Sequence, residues 1–377
     1  MNKKRHILFL SSWYPSEGQP FLGNYIRQFA EIMSETCEVT VLVLIKNDYR
    51  SGETVLEKIS DNFQEIRSFY GESFMNKSKI KAHRKALRFV KTYIPSINLI
   101  HAHVGMTNWW HFLWFKRELN VPMVYSEHGS FYFKENYNDL NLIHRTGLKR
   151  LIYKSDEITA VSDLLKVEME KNYPKFTNVI GNILLKSWEQ IPLTIRNIKE
   201  YKFLHVSTVD RAKNTSGILE AILILKNKGL TNFSLTILSD ENTNLLQDIV
   251  DKNYLNDYVQ FLGPHSHSEM PNVYQSHDCF ILNSNYETFS IVLAEALFFG
   301  LHIISTKVGF LANFQKAPFD EVEINDSIDL ADKMEMAISE QKRSYSDGRD
   351  FVKQFSQDVI IKKYTEIYNR LLKEDLI

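Results

Sequence analysis

The sequence predicts an α/β protein of two Rossmann-like, doubly wound domains. At 377 residues the chain is longer than one hydrophobic core usually organises. Short apolar runs alternate with helix-length amphipathic stretches, the pattern of parallel strands joined by crossover helices. The pattern occurs twice, on either side of a polar segment, Glu189 to Tyr201, that contains Pro192.

In the first half the strand-like runs are His6 to Leu10, Glu38 to Ile45, Asn98 to His101, Met123 to Ser126 and Glu157 to Val161. In the second they are Phe203 to Ser207, Ser234 to Leu238, Val259 to Leu262, Cys279 to Leu282 and His302 to Ser305. The expected organisation is an N-terminal domain over 1–185, a linker over 186–200, a C-terminal domain over 201–355 and, within 356–377, a closing helix from about Asp358 to Leu372.

Forty-five basic against 46 acidic residues leave a formal net charge of -1, which gives no global attraction for nucleic acid. Cys37 and Cys279 each adjoin a strand-like run, as expected of buried thiols in the reducing cytoplasm rather than of a disulfide framework. The apolar run Ile7 to Leu10 is too short for a signal sequence, and no stretch reaches the roughly 18 apolar residues of a spanning helix. The expectation is a cytoplasmic protein, soluble or peripheral on a membrane.

Neither half carries a G-x-G-x-x-G after its first strand or a Walker lysine loop. Doubly wound sheets still bind ligands at the carboxyl ends of their strands, so the polar residues that follow each strand are the candidates. The richest segment runs from Asn283 to Gly300, where Glu287 lies in a loop, a helix begins near Ser290, a good N-cap residue, and Glu295 sits in that helix. A helix N-terminus there offers free N–H groups and a positive dipole end to a diphosphate. Two carboxylates beside it can accept hydrogen bonds from sugar or ribose hydroxyls. An isolated E-x7-E pair is more often merely solvated, but Ile-Val-Leu-Ala before Glu295 and Ala-Leu-Phe-Phe after it make an unpartnered carboxylate there costly. After another strand, Asp210, Arg211, Lys213 and Asn214 form a loop whose two cations can neutralise a leaving diphosphate without a metal. The plainer alternative is a solvated turn.

These segments resemble the retaining glycosyltransferases of the GT-B class, family 4 or glycosyl transferases group 1, over nearly the whole chain. The resemblance implies two domains facing across a cleft, a nucleotide sugar (UDP- or GDP-linked) as donor substrate, and no metal or other cofactor. It places Glu287 against the donor sugar, Glu295 against the ribose, and Thr288, Phe289 and Ser290 at the donor site. The family usually has glycines on both sides of this phenylalanine, where the chain has Thr288 and Ser290. Lys213 carries over as a diphosphate ligand. The family's arginine falls at Thr208, which leaves Arg211 as the candidate to reach the phosphates.

In the first half, Gly23 at a helix start would let backbone approach the diphosphate or the sugar, or is an ordinary glycine at a helix start. His101, His103 and His128 follow strands. A lone histidine is more often a core or surface residue, but the family counterpart of His128 contacts the donor sugar. His101 with His103, or His265 with His267, lack a clustered third ligand for a metal. Ser162 should cap the helix from Asp163, and Asn182 matches a structural asparagine of the family.

No acidic residue falls between Glu72 and Glu118, while lysines, arginines, Trp109, Trp110 and Trp114 are frequent there. Residues 73–117 are therefore a candidate surface for anionic lipid headgroups. A solvated basic helix with a core-facing aromatic helix, or a basic acceptor groove, is the alternative. The function expected from this reading is transfer of a sugar from a nucleotide sugar to a glycan or lipid-linked acceptor with retention, in surface polysaccharide or glycoconjugate synthesis. His128, Glu287 and Lys213 are the catalytic candidates. The competing readings are a catalytically impaired sugar-nucleotide binder or scaffold, and another GT-B reaction such as phosphorolysis or epimerisation.

Overall fold

The computed structural model describes residues 4–94, 96–193, 198–312, 319–342 and 345–373. Residues 194–197 of the expected linker, and the chain ends 1–3 and 374–377, lie outside them. The chain forms two compact units, one of Met1–Ile183 with Asp358–Ile377 and one of Leu184–Gln357.

The first unit holds strands β1 (His6–Ser11), β2 (Glu38–Lys46), β3 (Thr54–Lys58), β4 (Phe63–Tyr70), β5 (Leu99–His103), β6 (Met123–Glu127), β7 (Glu157–Ala160) and β8 (Asn178–Val179). Its helices are α1 (Asn24–Met33), α2 (Lys77–Tyr93), α3 (Trp109–Leu119), α4 (Lys134–Tyr137), α5 (Leu142–Lys154) and α6 (Asp163–Asn172). The second unit holds β9 (Tyr201–Val206), β10 (Phe233–Leu238), β11 (Val259–Leu262), β12 (Cys279–Leu282), β13 (His302–Thr306) and β14 (Asp320–Val322). Between and after them come α7 (Thr215–Asn227), α8 (Asn244–Lys252), α9 (Met270–Gln275), α10 (Ile291–Phe298), α11 (Ser327–Glu340) and α12 (Tyr345–Val352). The last helix is α13 (Gln357–Leu372).

Both sheets are doubly wound. The first has the order β3-β4-β2-β1-β5-β6-β7-β8 and the second β11-β10-β9-β12-β13-β14. All neighbours run parallel except β3, which is antiparallel to β4. β1, β5, β6, β12 and β13 are buried along their whole lengths, which is why they read as unbroken apolar runs. Ser162 caps α6 by accepting from the Leu165 N–H at 3.2 Å. Three strands of the first sheet, β3, β4 and β8, and β14 of the second escaped the sequence pattern. β3 leaves Val55 and Leu56 exposed. β4 carries Glu65 and Arg67, whose charges meet each other and Arg27 instead of water.

In the first unit Ile7, Phe9, Val39, Val41 and Val43 share one face of the sheet and pack with Ile26 and Phe29 of α1 and with Ile360, Tyr364, Ile367 and Tyr368 of α13. The chain's last helix is therefore part of this core. Tyr368 Oη lies 2.6 Å from His101 Nδ1, and Tyr364 Oη lies 3.2 Å from Ser126 Oγ. The opposite face carries α2. Ser68, in register with Leu44, donates to the Ala82 carbonyl of α2 at 3.2 Å.

If α13 is structural in this way, Tyr364→Ala should cost about 3 kcal/mol of unfolding free energy. Tyr368→Phe, which removes only the hydroxyl partner of His101, should cost about 1 kcal/mol. Denaturant titration checks both. Values within about 0.5 kcal/mol of zero, as for a surface helix, would contradict the packing.

Candidate active site

In the second sheet β9 and β12 are neighbours, yet β10 and β11 wind away on one side and β13 and β14 on the other. The loops leaving their carboxyl ends diverge, and such a switch point opens the crevice in which doubly wound sheets bind ligands. Here the two loops are tied together. The Asn285 N–H donates to the Ala212 carbonyl at 2.7 Å, and Asn285 Nδ2 donates to the Arg211 carbonyl at 3.0 Å. Lys213 Nζ donates to Glu287 Oε1 at 2.7 Å, and that oxygen also accepts from Ser284 Oγ at 3.0 Å. Burial pulls the Lys213 pKa down, but the Glu287 carboxylate outweighs it and holds the ammonium above its ordinary value. A fixed cation thus stands at the switch point. Arg211 is exposed, and Thr208 turns to Asp210 at 2.9 Å.

Phe289 is buried between Phe310 and Phe355. Its carbonyl accepts from the Phe310 N–H at 3.2 Å, close against Gly309, where a Cβ would lie 2.4 Å from that oxygen. Thr288 is half-buried beside it. Ser290 corrects the sequence reading. It occupies the N-cap position of α10, but its side chain caps nothing and its φ of 70° is left-handed. The backbone adopts there what a glycine adopts freely, at a position where the resembled family usually has glycine. Ser290 Oγ, Asn283 Oδ1 and Asn285 Oδ1 are buried without a hydrogen-bond partner. Three orphaned polar atoms in one loop beside a helix N-terminus mark a place built for a polar ligand.

Glu295 is 5% exposed in an otherwise apolar helix. Tyr274 Oη donates to its Oε2 at 2.6 Å, and His267 Nε2 lies 3.3 Å from its Oε1. The His267 ring packs on Trp188 at 4.4 Å between centroids. The sequence exposed the cost of burying Glu295 but not these partners. His267 entered only as a metal candidate, and Tyr274 lies 21 positions away with nothing local to mark it. Among the described residues no three His, Cys, Asp or Glu side chains gather as a metal site.

The switch point of the first sheet lies between β1 and β5. Gly23, with φ 67°, precedes α1 and presses on the chain after β1, so that a Cβ would lie 2.4 Å from the Trp13 carbonyl oxygen. Only glycine fits this approach. His128, after β6, is fixed on both nitrogens, with Asn182 Oδ1 3.2 Å from Nδ1 and His103 Nδ1 3.2 Å from Nε2. Burial lowers its pKa to about 4, against the Asn182 hydrogen bond. Buried Glu127 holds the loop by accepting from the His128 and Gly129 N–H groups at 2.8 and 2.7 Å. His101 is engaged with Tyr368 and Ser126 in the core.

Residues 22–182 match the family model Glycosyltransferase Family 4, and residues 187–349 match Glycosyl transferases group 1. The chain is 22% identical to an uncharacterized glycosyltransferase of Methanocaldococcus jannaschii, over 97% of this chain and 99% of that one. In fold it is similar to sucrose-phosphate synthase from Thermosynechococcus elongatus, with a TM-score of 0.78 and 17% identity, covering 98% of this chain and 100% of that one. It is also similar to Anabaena HepE in complex with UDP and glucose, with a TM-score of 0.75 and 14% identity over 97% and 100% of the two chains.

Two outcomes follow from this geometry. Lys213→Ala and Glu287→Ala each strand a largely buried charge, so the double variant should be less destabilised than the sum of the singles, with a coupling of about 1–2 kcal/mol in a denaturation cycle. Additive losses would dissolve the pair. His128 and His205, the latter buried in β9 with Nδ1 2.9 Å from the Ile281 carbonyl oxygen, are held by burial at about 4 against an ordinary 6.5 and bind protons more readily in the unfolded chain between those values. Stability should therefore fall as the pH drops from about 6.5 toward 4, by about 1.4 kcal/mol per pH unit for each histidine, and a flat denaturation profile over that window would contradict their burial.

Proposed function

This chain is a glycosyltransferase of the family 4, GT-B type, and we propose that it moves a sugar from a UDP- or GDP-sugar to a glycan or lipid-linked acceptor with retention of anomeric configuration and without a metal. The observation that carries this reading is the Lys213–Glu287 pair at the β9/β12 switch point, beside the α10 N-terminus and its three orphaned polar atoms. In the proposed reaction negative charge builds on the departing diphosphate. Lys213, the first N–H groups of α10 and the exposed Arg211 receive it. A cation already fixed by Glu287 reorganises little when that charge appears.

Glu295 receives the ribose hydroxyls, its carboxylate aimed by Tyr274 and His267. Glu287 and His128 hydrogen-bond the donor sugar, and neither is assigned as a nucleophile. With its pKa near 4, His128 is neutral at physiological pH, and a sugar hydroxyl bonds its ring by taking the place of Asn182 or His103. Gly23, Thr288, Phe289 and Ser290 shape the backbone around the donor. A UDP donor is favoured by the complex of HepE with UDP and glucose. We place the enzyme in the cytoplasm, in surface polysaccharide or glycoconjugate synthesis.

A thermal-shift series over UDP-, GDP- and ADP-sugars should single out one nucleotide. Glu295→Gln should weaken that donor's affinity about tenfold in calorimetry by removing a charge-assisted hydrogen bond, and an unchanged affinity would refute the ribose assignment. Lys213→Ala should lower turnover about 100-fold or more while changing donor affinity less. Turnover should survive EDTA. Its loss, with rescue by magnesium or manganese, would overturn the metal-free mechanism.

A further inference from the structure

The face of the first sheet opposite α13 carries a surface that the proposed reaction does not use. Helices α2, α3 and α5 lie side by side there, with α3 in the middle. α2 buries Ala82, His83, Ala86, Leu87 and Val90 and exposes Lys77, Lys81, Arg84, Lys85 and Arg88, cations that recur at helical spacing along its outer face. α5 contains no acidic residue, and its Lys149, Arg150 and Lys154 are exposed.

Between these two cationic helices α3 turns His111, Phe112 and Phe115 inward and leaves Trp109, Trp110, Leu113 and Trp114 half-buried. Those four side chains line an open groove of about 800 Å³ that Arg150 and Lys154 also border. The guanidinium of Arg84 lies over the Trp114 ring at 5.8 Å. Just before α2, Phe74 is 78% exposed. Half of the aromatic helix is thus core and half is a tryptophan-lined trough flanked by positive charge.

We propose that this three-helix face docks on the surface of an anionic phospholipid bilayer. The charge pattern selects the partner. Cations on both sides meet headgroup phosphates, while tryptophan, whose ring is apolar and whose N–H is polar, suits the interfacial layer between headgroup and acyl chain. A protein partner with an acidic surface would satisfy the cations but leave no interfacial layer for the tryptophans. No described helix is long and apolar enough to cross a membrane, and the docking proposed is peripheral. It stands independently of the identity of donor and acceptor.

The test is co-sedimentation of the full chain with vesicles of phosphatidylglycerol and phosphatidylcholine, set against pure phosphatidylcholine. Binding should require phosphatidylglycerol, fall at high salt, and shift tryptophan emission to the blue. Lys81→Gln with Arg88→Gln should lower the partition coefficient about 25-fold, or about fivefold per cation. Lys362→Gln with Lys363→Gln, on exposed positions of α13, should change it less than twofold and controls for loss of net charge. Equal binding to neutral vesicles, no binding to either, an unshifted emission, or equal losses in the two double variants would each overturn the proposal.

Discussion

β9 and β12 pair in space without being consecutive in sequence, and this sets where chemistry can occur in the second unit. A parallel strand is regained only through a crossover, so the chain leaves both strands at the same end of the sheet. Because the two crossovers wind in opposite directions, the loops part and leave a crevice between them. Lys213, Glu287 and the start of α10 all stand on those loops. Their meeting follows from strand order, although Lys213 and Glu287 are 74 residues apart. β1 and β5 repeat the arrangement and bring Gly23, His103 and the His128 loop to the corresponding end of the other sheet.

Within the second crevice rigidity comes from packing the sequence does not advertise. Phe289 is wedged between two phenylalanines, and Gly309 lies against its carbonyl. That clamp holds Ser290 in a left-handed conformation, which costs a non-glycine residue about 1–2 kcal/mol. The orphaned Ser290 hydroxyl adds to the cost. A site that keeps strain and unsatisfied polar atoms in one loop is more ordered for its ligand than folding alone requires.

The apolar strands and the closing helix were legible because burial on both faces leaves unbroken apolar runs, and Glu295 stood out because its neighbours are apolar. β3 and β4 were not, since β4 hides a carboxylate under two arginines and so reads as polar surface. Ser290 was misread for a related reason. Its cap propensity is a local preference, whereas its backbone is set by Phe289, Phe310 and Gly309, residues brought together by tertiary packing. His267 and Tyr274 remained invisible as partners of Glu295, because a hydrogen bond between separate elements leaves no periodic trace in sequence.

Burial presses the Lys213 ammonium and the His128 imidazole toward neutrality, yet the two end in opposite states because their partners differ. Lys213 faces a carboxylate whose attraction exceeds the desolvation penalty, and it stays charged. His128 faces an amide and a second imidazole, which can hydrogen-bond the neutral ring but cannot balance a charge, and its pKa falls to about 4. In the proposed reaction this difference divides the labour. The diphosphate gains negative charge as it leaves and is met by a permanent cation. The His128 ring, which donates to Asn182 and accepts from His103, stays neutral and would lose its acceptor capacity on protonation. Exchanging the two environments would favour a charged histidine and a neutral lysine, so the identity of each buried partner, more than the depth of burial, fixes what each base can do.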